Sequence, residues 1–226
     1  MKYFISKVMF SYSKFNVLKK IFKLTKIIFS RIFLRILSLG LKVPKWHLNA
    51  TFESRDYKRK VIKISNFYKT NFVIEIGCGI GEILGRLNAS QKYGFDINKD
   101  TLMLCKRLNK NIKTIHNDIM TNNQKVLEII KSCKKDETIL IIMVNWLHEY
   151  SEIKVKDMIE RILSIKRNII IIADIYQRKE YSRIPQNKTL HKFSDIKNIN
   201  FYKKIDNIDK VRDLAIISNK NIMNLS

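Results

Sequence analysis

The sequence predicts an α/β protein: a doubly wound, mostly parallel seven-stranded sheet that ends in an antiparallel hairpin and is preceded by a basic amphipathic helical arm. Three observations predict it. From residue 57 onward, short apolar runs alternate with helix-spaced segments, the pattern of strand–helix–strand units. Two runs, 139–144 and 169–172, are apolar at every position, as strands covered on both faces must be. Closely spaced glycines, Gly77, Gly79 and Gly81, follow the first of the runs.

The arm comes first. Over residues 14–42, Lys19, Lys20, Lys23, Lys26, Arg31, Arg35 and Lys42 recur at helical steps, while Ile21, Phe22, Ile28, Phe29, Ile32, Phe33, Ile36 and Leu37 fill the other side. One or two amphipathic helices are predicted. Their apolar stripe either packs on the chain's own domain or a second subunit, or lies on an anionic membrane surface. Gly40 and Pro44 end the arm near residue 43. Trp46, His47, Leu48 and Asn49, then Glu53 to Tyr57, read as too polar for a core and form a lid or a solvated linker. The division expected is an arm at 1–56 and a main domain at 57–226.

Within that domain the sequence predicts a helix at 57–68, a strand at 72–76, a helix at 82–88 and a strand at 92–95. A helix at 101–108, capped by Asp100 or Thr101, precedes a strand at 112–115 and a helix at 124–133. A strand at 138–144, a helix at 153–165 and a strand at 168–173 follow. Strands at 201–205 and 212–218, turned around Asp206, Asn207 and Asp209, close the sheet.

A formal charge of +24 ordinarily points to a polyanionic partner. Lysine and asparagine abundance throughout the chain weakens that inference, and the charge is uneven. Residues 1–52 hold 11 Lys or Arg and no Asp or Glu, leaving 33 basic against 20 acidic residues for the remainder. Cys78, Cys105 and Cys133 have neither Cys-x-x-Cys spacing nor a nearby histidine cluster, so neither a disulfide framework nor a zinc site is indicated, and a reducing cytosol fits best. Cations interrupt each apolar run of the arm before a membrane span is reached, and no signal-peptide pattern is present. The expected location is cytoplasmic, with contact to the inner membrane face as the second option.

In a doubly wound sheet, ligands bind at the carboxyl ends of the strands. Those ends carry Glu75 with the glycine loop, Asp96, Asp118, Asn145 to Glu149, and Asp174. The glycines let a ligand approach the main chain closely. Asp96 can take both hydroxyls of a ribose, and Asp118 can accept from an adenine amino group. Together they describe an adenosine site. At the sixth position of the glycine pattern stands Glu82, a carboxylate that at a helix start would repel a pyrophosphate and disfavour a nicotinamide dinucleotide.

The segments Glu75-Ile76-Gly77-Cys78-Gly79-Ile80-Gly81, Gly94-Phe95-Asp96-Ile97 and Asn117-Asp118-Ile119 resemble successive motifs of class I S-adenosylmethionine-dependent methyltransferases, over roughly residues 57–218. The resemblance implies S-adenosylmethionine as cofactor. It implies that Gly77, Cys78 and Gly79 border the cofactor's methionine part, with Cys78 there for its size, and that Gly81 belongs to the same cofactor-binding loop. Glu75 steadies the loop, Asp96 with Ile97 holds ribose, Asp118 with Ile119 holds adenine, and Asn145 completes the set. The stretch Asn145 to Tyr150 is where that family meets its acceptor. His148 is the candidate base and Glu149 its orienting partner or itself the base. Alternatively, His148 only hydrogen-bonds within the loop and Glu149 caps the next helix.

With no Pro-Pro pair and no cysteine in this stretch, it differs from enzymes that methylate base amino groups or cytosine C5. A small-molecule or glycan acceptor methylated on oxygen is therefore expected in preference to nucleic acid. The 46–48 and 145–149 segments are similar to methyltransferases of bacterial surface-polysaccharide clusters. A basic loop at 176–192, with Arg178, Lys179, Arg183, Lys188, His191 and Lys192 beside Tyr176 and Tyr181, either binds a phosphorylated acceptor or is solvated. An RNA methyltransferase that uses the arm for phosphates, and a non-catalytic nucleotide-binding module, are the alternatives.

Overall fold

The structure, a computed structural model, describes the backbone of residues 2–176, 191–209 and 211–222 and the side chains of these residues other than 2–16 and 176. The arm is one continuous helix, α1 (Lys2–Leu37), because no proline or glycine interrupts it. Arg107 caps its end by donating to the Leu37 carbonyl at 2.6 Å, and Asp100 accepts the Lys42 backbone N–H at 2.8 Å. Leu34 packs with Ile80 and Leu104, joined by Leu37, Leu41, Val43 and Leu48. The segment read as lid or linker is a short helix, α2 (Lys45–Asn49), and His47 within it is buried, contrary to the expectation that it stays outside the packed interior.

After α3 (Asp56–Phe67), the sheet begins with β1 (Phe72–Ile76) and β2 (Gln91–Asp96), then α4 (Lys99–Leu108) and β3 (Lys113–His116). The chain continues through α5 (Gln124–Ser132), β4 (Thr138–Met143), α6 (Glu152–Leu163) and β5 (Asn168–Tyr176). The hairpin of β6 (Phe201–Asp209) and β7 (Arg212–Ser218) completes one sheet of order β3-β2-β1-β4-β5-β7-β6. β1 to β5 pair in parallel and β7 runs antiparallel to both of its neighbours. The predicted sheet and hairpin are thus present.

Alternation along each strand assigns its residues to two layers. Phe72, Ile74, Ile76, Ile141 and Met143 pack on Val126 and Ile130 of α5 and on Val155, Ile159 and Ile162 of α6. Val73, Leu140 and Ile142 face the other way, onto Tyr57 and Val61 of α3 and Cys105 of α4. The strand order reverses between β1 and β4, so the crevice at their carboxyl ends is the natural ligand position.

Three local expectations are corrected. No α-helix forms over 82–88; a three-residue 3-10 turn, Leu84–Arg86, stands there, its first N–H taken by the Glu75 carboxylate at 3.0 Å. Asn98, not Asp100 or Thr101, caps α4, its side-chain oxygen accepting from the Thr101 N–H at 2.8 Å. The hairpin turn lies beyond Asp209, because β6 continues to that residue through an irregularity between Ile205 and Asp209.

Candidate functional site

The carboxyl ends of β1, β2, β3 and β4, together with α2, the start of α3 and the hairpin, enclose a cavity of about 950 Å³. Glu75, Gly77, Cys78, Gly79, Asp96, Ile97, Asp118, Ile119, Asn145, His148 and Glu149 all line it. The fold thus brings residues distant in sequence to one cavity. Gly81 is the exception: it faces Cys105, whose sulfur lies 2.7 Å from where a Cβ would stand, so this glycine serves the packing behind the loop.

The loop leaves β1 with φ of +71° at Gly77 and +53° at Gly79, values that side chains rarely adopt. Neighbours reinforce the requirement. A Cβ at Gly77 would stand 2.4 Å from the Trp146 ring, and one at Gly79 would stand 2.5 Å from the His47 ring. Trp46 stacks on His47 with centroids 3.5 Å apart, so α2 presses an aromatic pair onto the loop. Burial first, then the Lys58 charge, lower the His47 pKa to about 3, and the imidazole is neutral at physiological pH.

Asp96 anchors the loop from β2. One carboxylate oxygen accepts the Gly79 N–H at 2.9 Å and the other the Asn98 N–H at 2.8 Å. Burial raises its pKa while these hydrogen bonds oppose the rise. Asp118 holds its own turn by accepting from the Met120 N–H at 3.0 Å, and Ile119 beside it is buried. Glu75 is almost fully buried, and desolvation pushes its pKa up to about 8. The hydrogen bond between the Cys78 and Cys105 side chains, then burial, pushes the Cys78 thiol up.

At the end of β4, Asn145 has φ of +71°, a left-handed conformation that asparagine tolerates better than most residues. Its N–H donates to Asp174 at 2.8 Å. His148 Nε2 lies 3.3 Å from a Glu149 carboxylate oxygen, with the His148 side chain 16% and the Glu149 side chain 51% exposed. Ser151 occupies the N-cap of α6, so Glu149 is not that helix's cap.

Several cavity residues were not singled out from the sequence. Arg212 is buried against the Tyr57 ring, 3.8 Å from its centroid, and pairs with Asp174 at 3.5 Å and Asp209 at 2.9 Å. Burial, opposed by the Arg212 charge, raises Asp174 to about 6, and burial raises the Tyr57 hydroxyl to about 12. The legible signal was a charged pair, Arg212-Asp213, opening an otherwise apolar strand. Lys58 forms a largely buried ion pair with Glu82, which also accepts the Phe52 N–H at 2.7 Å. The carboxylate expected to repel a pyrophosphate is therefore already neutralised.

Of the basic loop expected to touch an acceptor, residues 177–190 lie outside the described residues. His191 donates to the Leu147 carbonyl at 2.8 Å and the Lys192 N–H donates to Glu152 at 3.2 Å, so both brace the segment after β4. Among the described residues no group of His, Cys, Asp and Glu is arranged to hold a metal ion.

No family model and no curated protein matches the sequence. Solved structures do match in fold. The bifunctional kinase-methyltransferase WbdD aligns with a TM-score of 0.57 at 17% identity over 82% of this chain, which spans only 46% of that one. The N-methyltransferase NodS from Bradyrhizobium japonicum WM9, in complex with S-adenosyl-L-homocysteine, aligns with 0.55 at 14% identity over 85% of this chain and 99% of that one. Magnesium protoporphyrin IX methyltransferase from Synechocystis PCC 6803, with bound S-adenosylhomocysteine, aligns with 0.50 at 14% identity over 75% and 88% of the two chains. The chain has the Rossmann-like fold of class I S-adenosylmethionine-dependent methyltransferases.

Proposed function

We propose that the chain is an S-adenosylmethionine-dependent methyltransferase acting on a hydroxyl of a small molecule or glycan intermediate. The observation that carries this reading is the convergence of the glycine turn, Asp96 and Asp118 on one cavity at the point where the strand order reverses. Two of the matched solved structures hold S-adenosylhomocysteine, which supports the choice of cofactor.

The residues present fit that cofactor. The Asp96 oxygens are oriented by the backbone N–H groups of Gly79, Ile97 and Asn98 and keep acceptor capacity for ribose hydroxyls. Asp118 spends one oxygen on the Met120 N–H and has the other for an adenine amino group. Neutral His47 walls the glycine loop without adding a positive charge beside a sulfonium. No α-helix starts directly after the loop, so the helix-terminus site that a dinucleotide's pyrophosphate uses is missing.

When bound, the cofactor supplies a methyl group on a sulfonium, an excellent leaving group for in-line displacement at carbon. The protein's task is then chiefly alignment. His148 takes the acceptor's hydroxyl proton, Glu149 holds the imidazole, and Trp146 forms the wall between acceptor and glycine turn. General base catalysis of this kind contributes about 10²–10⁴ in rate.

The test is incubation with methyl-labelled S-adenosylmethionine and separated RNA, lipid, soluble-metabolite and glycan fractions. Label in the soluble or glycan fraction is expected; label in RNA alone rejects the acceptor class. Calorimetric titration with S-adenosylhomocysteine checks the cofactor site: undiminished affinity of Asp96→Ala refutes the ribose assignment.

A further inference from the structure

Among the described residues, the arm is a large feature that this activity leaves unused. Leu18, Ile21, Phe22, Ile28, Phe29, Ile32, Phe33 and Ile36 of α1 are each between 48% and 68% exposed. Projected at about 100° per residue, they share less than half of the helix circumference. Thr25 is the polar residue among them, and its hydroxyl turns back to the Ile21 carbonyl at 2.9 Å. Leu34, on the opposite side, packs on the domain, with Leu37 beside it. The domain therefore holds α1 by its narrow side and turns the broad apolar face outward.

Eight large apolar side chains, each about half exposed or more, on one face make an apolar patch of the kind that marks an interaction site. Cations flank it. Lys19 and Lys26 stand along one margin and Lys20 and Arg35 along the other, with Lys26 over the Phe22 ring at 4.6 Å, while Arg31 turns to the Asn49 carbonyl at 3.1 Å. Among the described residues no helix is long and apolar enough to cross a membrane.

We propose that the outward face of α1 docks the protein onto an anionic membrane surface, the helix lying in the headgroup region with its apolar residues inserted and its Lys and Arg on lipid phosphates. Charge selects this occupant over a second copy of the chain. Residues 1–52 carry 11 cations and no anion, so pairing two arms sets like charges against each other, whereas anionic headgroups complement them. The inference goes beyond the proposed chemistry and holds whether or not the cavity methylates anything. Arg31 and Trp46 line the cavity as well, which places its rim next to the docked helix.

The experiment is co-sedimentation of the full chain with vesicles of phosphatidylcholine alone or with about a third phosphatidylglycerol. Wild type is expected to bind the anionic vesicles at least tenfold more tightly than the neutral ones, and less tightly as salt rises. Phe29→Glu/Phe33→Glu, at two exposed positions, is expected to lose at least tenfold in binding while keeping the wild-type circular dichroism spectrum. Should that variant misfold, Lys20→Gln/Lys26→Gln serves in its place, with a loss of roughly thirtyfold from two surface cations. Absence of wild-type binding to anionic vesicles overturns the proposal, as does equal binding by a folded variant. A wild-type dimer that Phe29→Glu/Phe33→Glu converts to monomer, without vesicle binding, overturns it in favour of a second copy. Salt-sensitive retention on RNA without vesicle binding overturns it in favour of nucleic acid.

Discussion

Replacing Glu75 with Gln should change not only stability but its dependence on pH. Glu75 is 3% exposed, accepts from the Leu84 N–H at 3.0 Å and titrates at about 8 rather than the ordinary 4.5 because burial disfavours its charged form. With the folded pKa above the unfolded one, the folded state binds the proton more tightly. Wild-type stability therefore falls as pH rises from about 4.5 to about 8, by roughly 1.4 kcal/mol per pH unit from this group alone. Summed over the window, this is on the order of 5 kcal/mol, a large share of a typical folding free energy. Glutamine keeps the carbonyl that accepts from Leu84 and removes the titration. The assay is urea denaturation of both proteins at intervals from pH 5 to pH 9. Subtracting the two profiles cancels other titrating carboxyls such as Asp174 and Asp96, and the Glu75→Gln advantage should grow steadily up to about pH 8 and then level off. A difference that is flat with pH refutes the assignment of a protonated carboxyl beneath the loop.

Gly79→Ala meets both a left-handed φ of +53° and the His47 ring 2.5 Å from the new Cβ; it should destabilise by about 1–3 kcal/mol and shift Trp46 fluorescence, since Trp46 stacks on His47. Arg212→Ala leaves the buried Asp174 carboxyl without its cation and should cost about 3–5 kcal/mol in a denaturation experiment, with Asp174→Asn restoring part of the loss. His148→Ala should lower methyl transfer about 10²–10⁴-fold at saturating cofactor while leaving S-adenosylhomocysteine affinity within twofold; equal loss of both would move His148 from the acceptor side to the cofactor side.

The sheet was legible because its strands are buried on both faces, and burial of that kind writes continuous isoleucine and leucine into β4 and β5. β7 was legible for the same reason. The stretch after the glycine loop was not. Glu82 to Asn88 has helical composition but contains Gly85, which packs against Asn109, and its leading N–H is claimed by Glu75 from a neighbouring strand. That hydrogen bond is tertiary, and local periodicity carries no record of it. Asn98 was missed as a cap because Asp100 and Thr101 are equally good by residue type, and only the backbone direction leaving β2 selects among them.

At the site, the residues that end strands were readable and those that pack over them were not. Asp96, Asp118 and Asn145 follow apolar runs, so topology alone takes them to one crevice. His47, Lys58, Tyr57 and Arg212 reach the same crevice from the arm, from α3 and from the hairpin, by packing that no sequence interval encodes. Lys58 also alters an inference made from the sequence. By charge alone Glu82 repels a pyrophosphate, but its buried pairing with Lys58 cancels that charge locally. What disfavours a pyrophosphate is the missing α-helix start after Gly81, where a three-residue 3-10 turn stands in place of the first turn of a helix. The discrimination thus rests on backbone dipoles rather than on one side chain. Glu82→Gln should accordingly leave the preference for an adenosyl sulfonium over a dinucleotide unchanged while weakening the hold on Lys58; a gain of dinucleotide binding on that substitution would return the discrimination to the carboxylate.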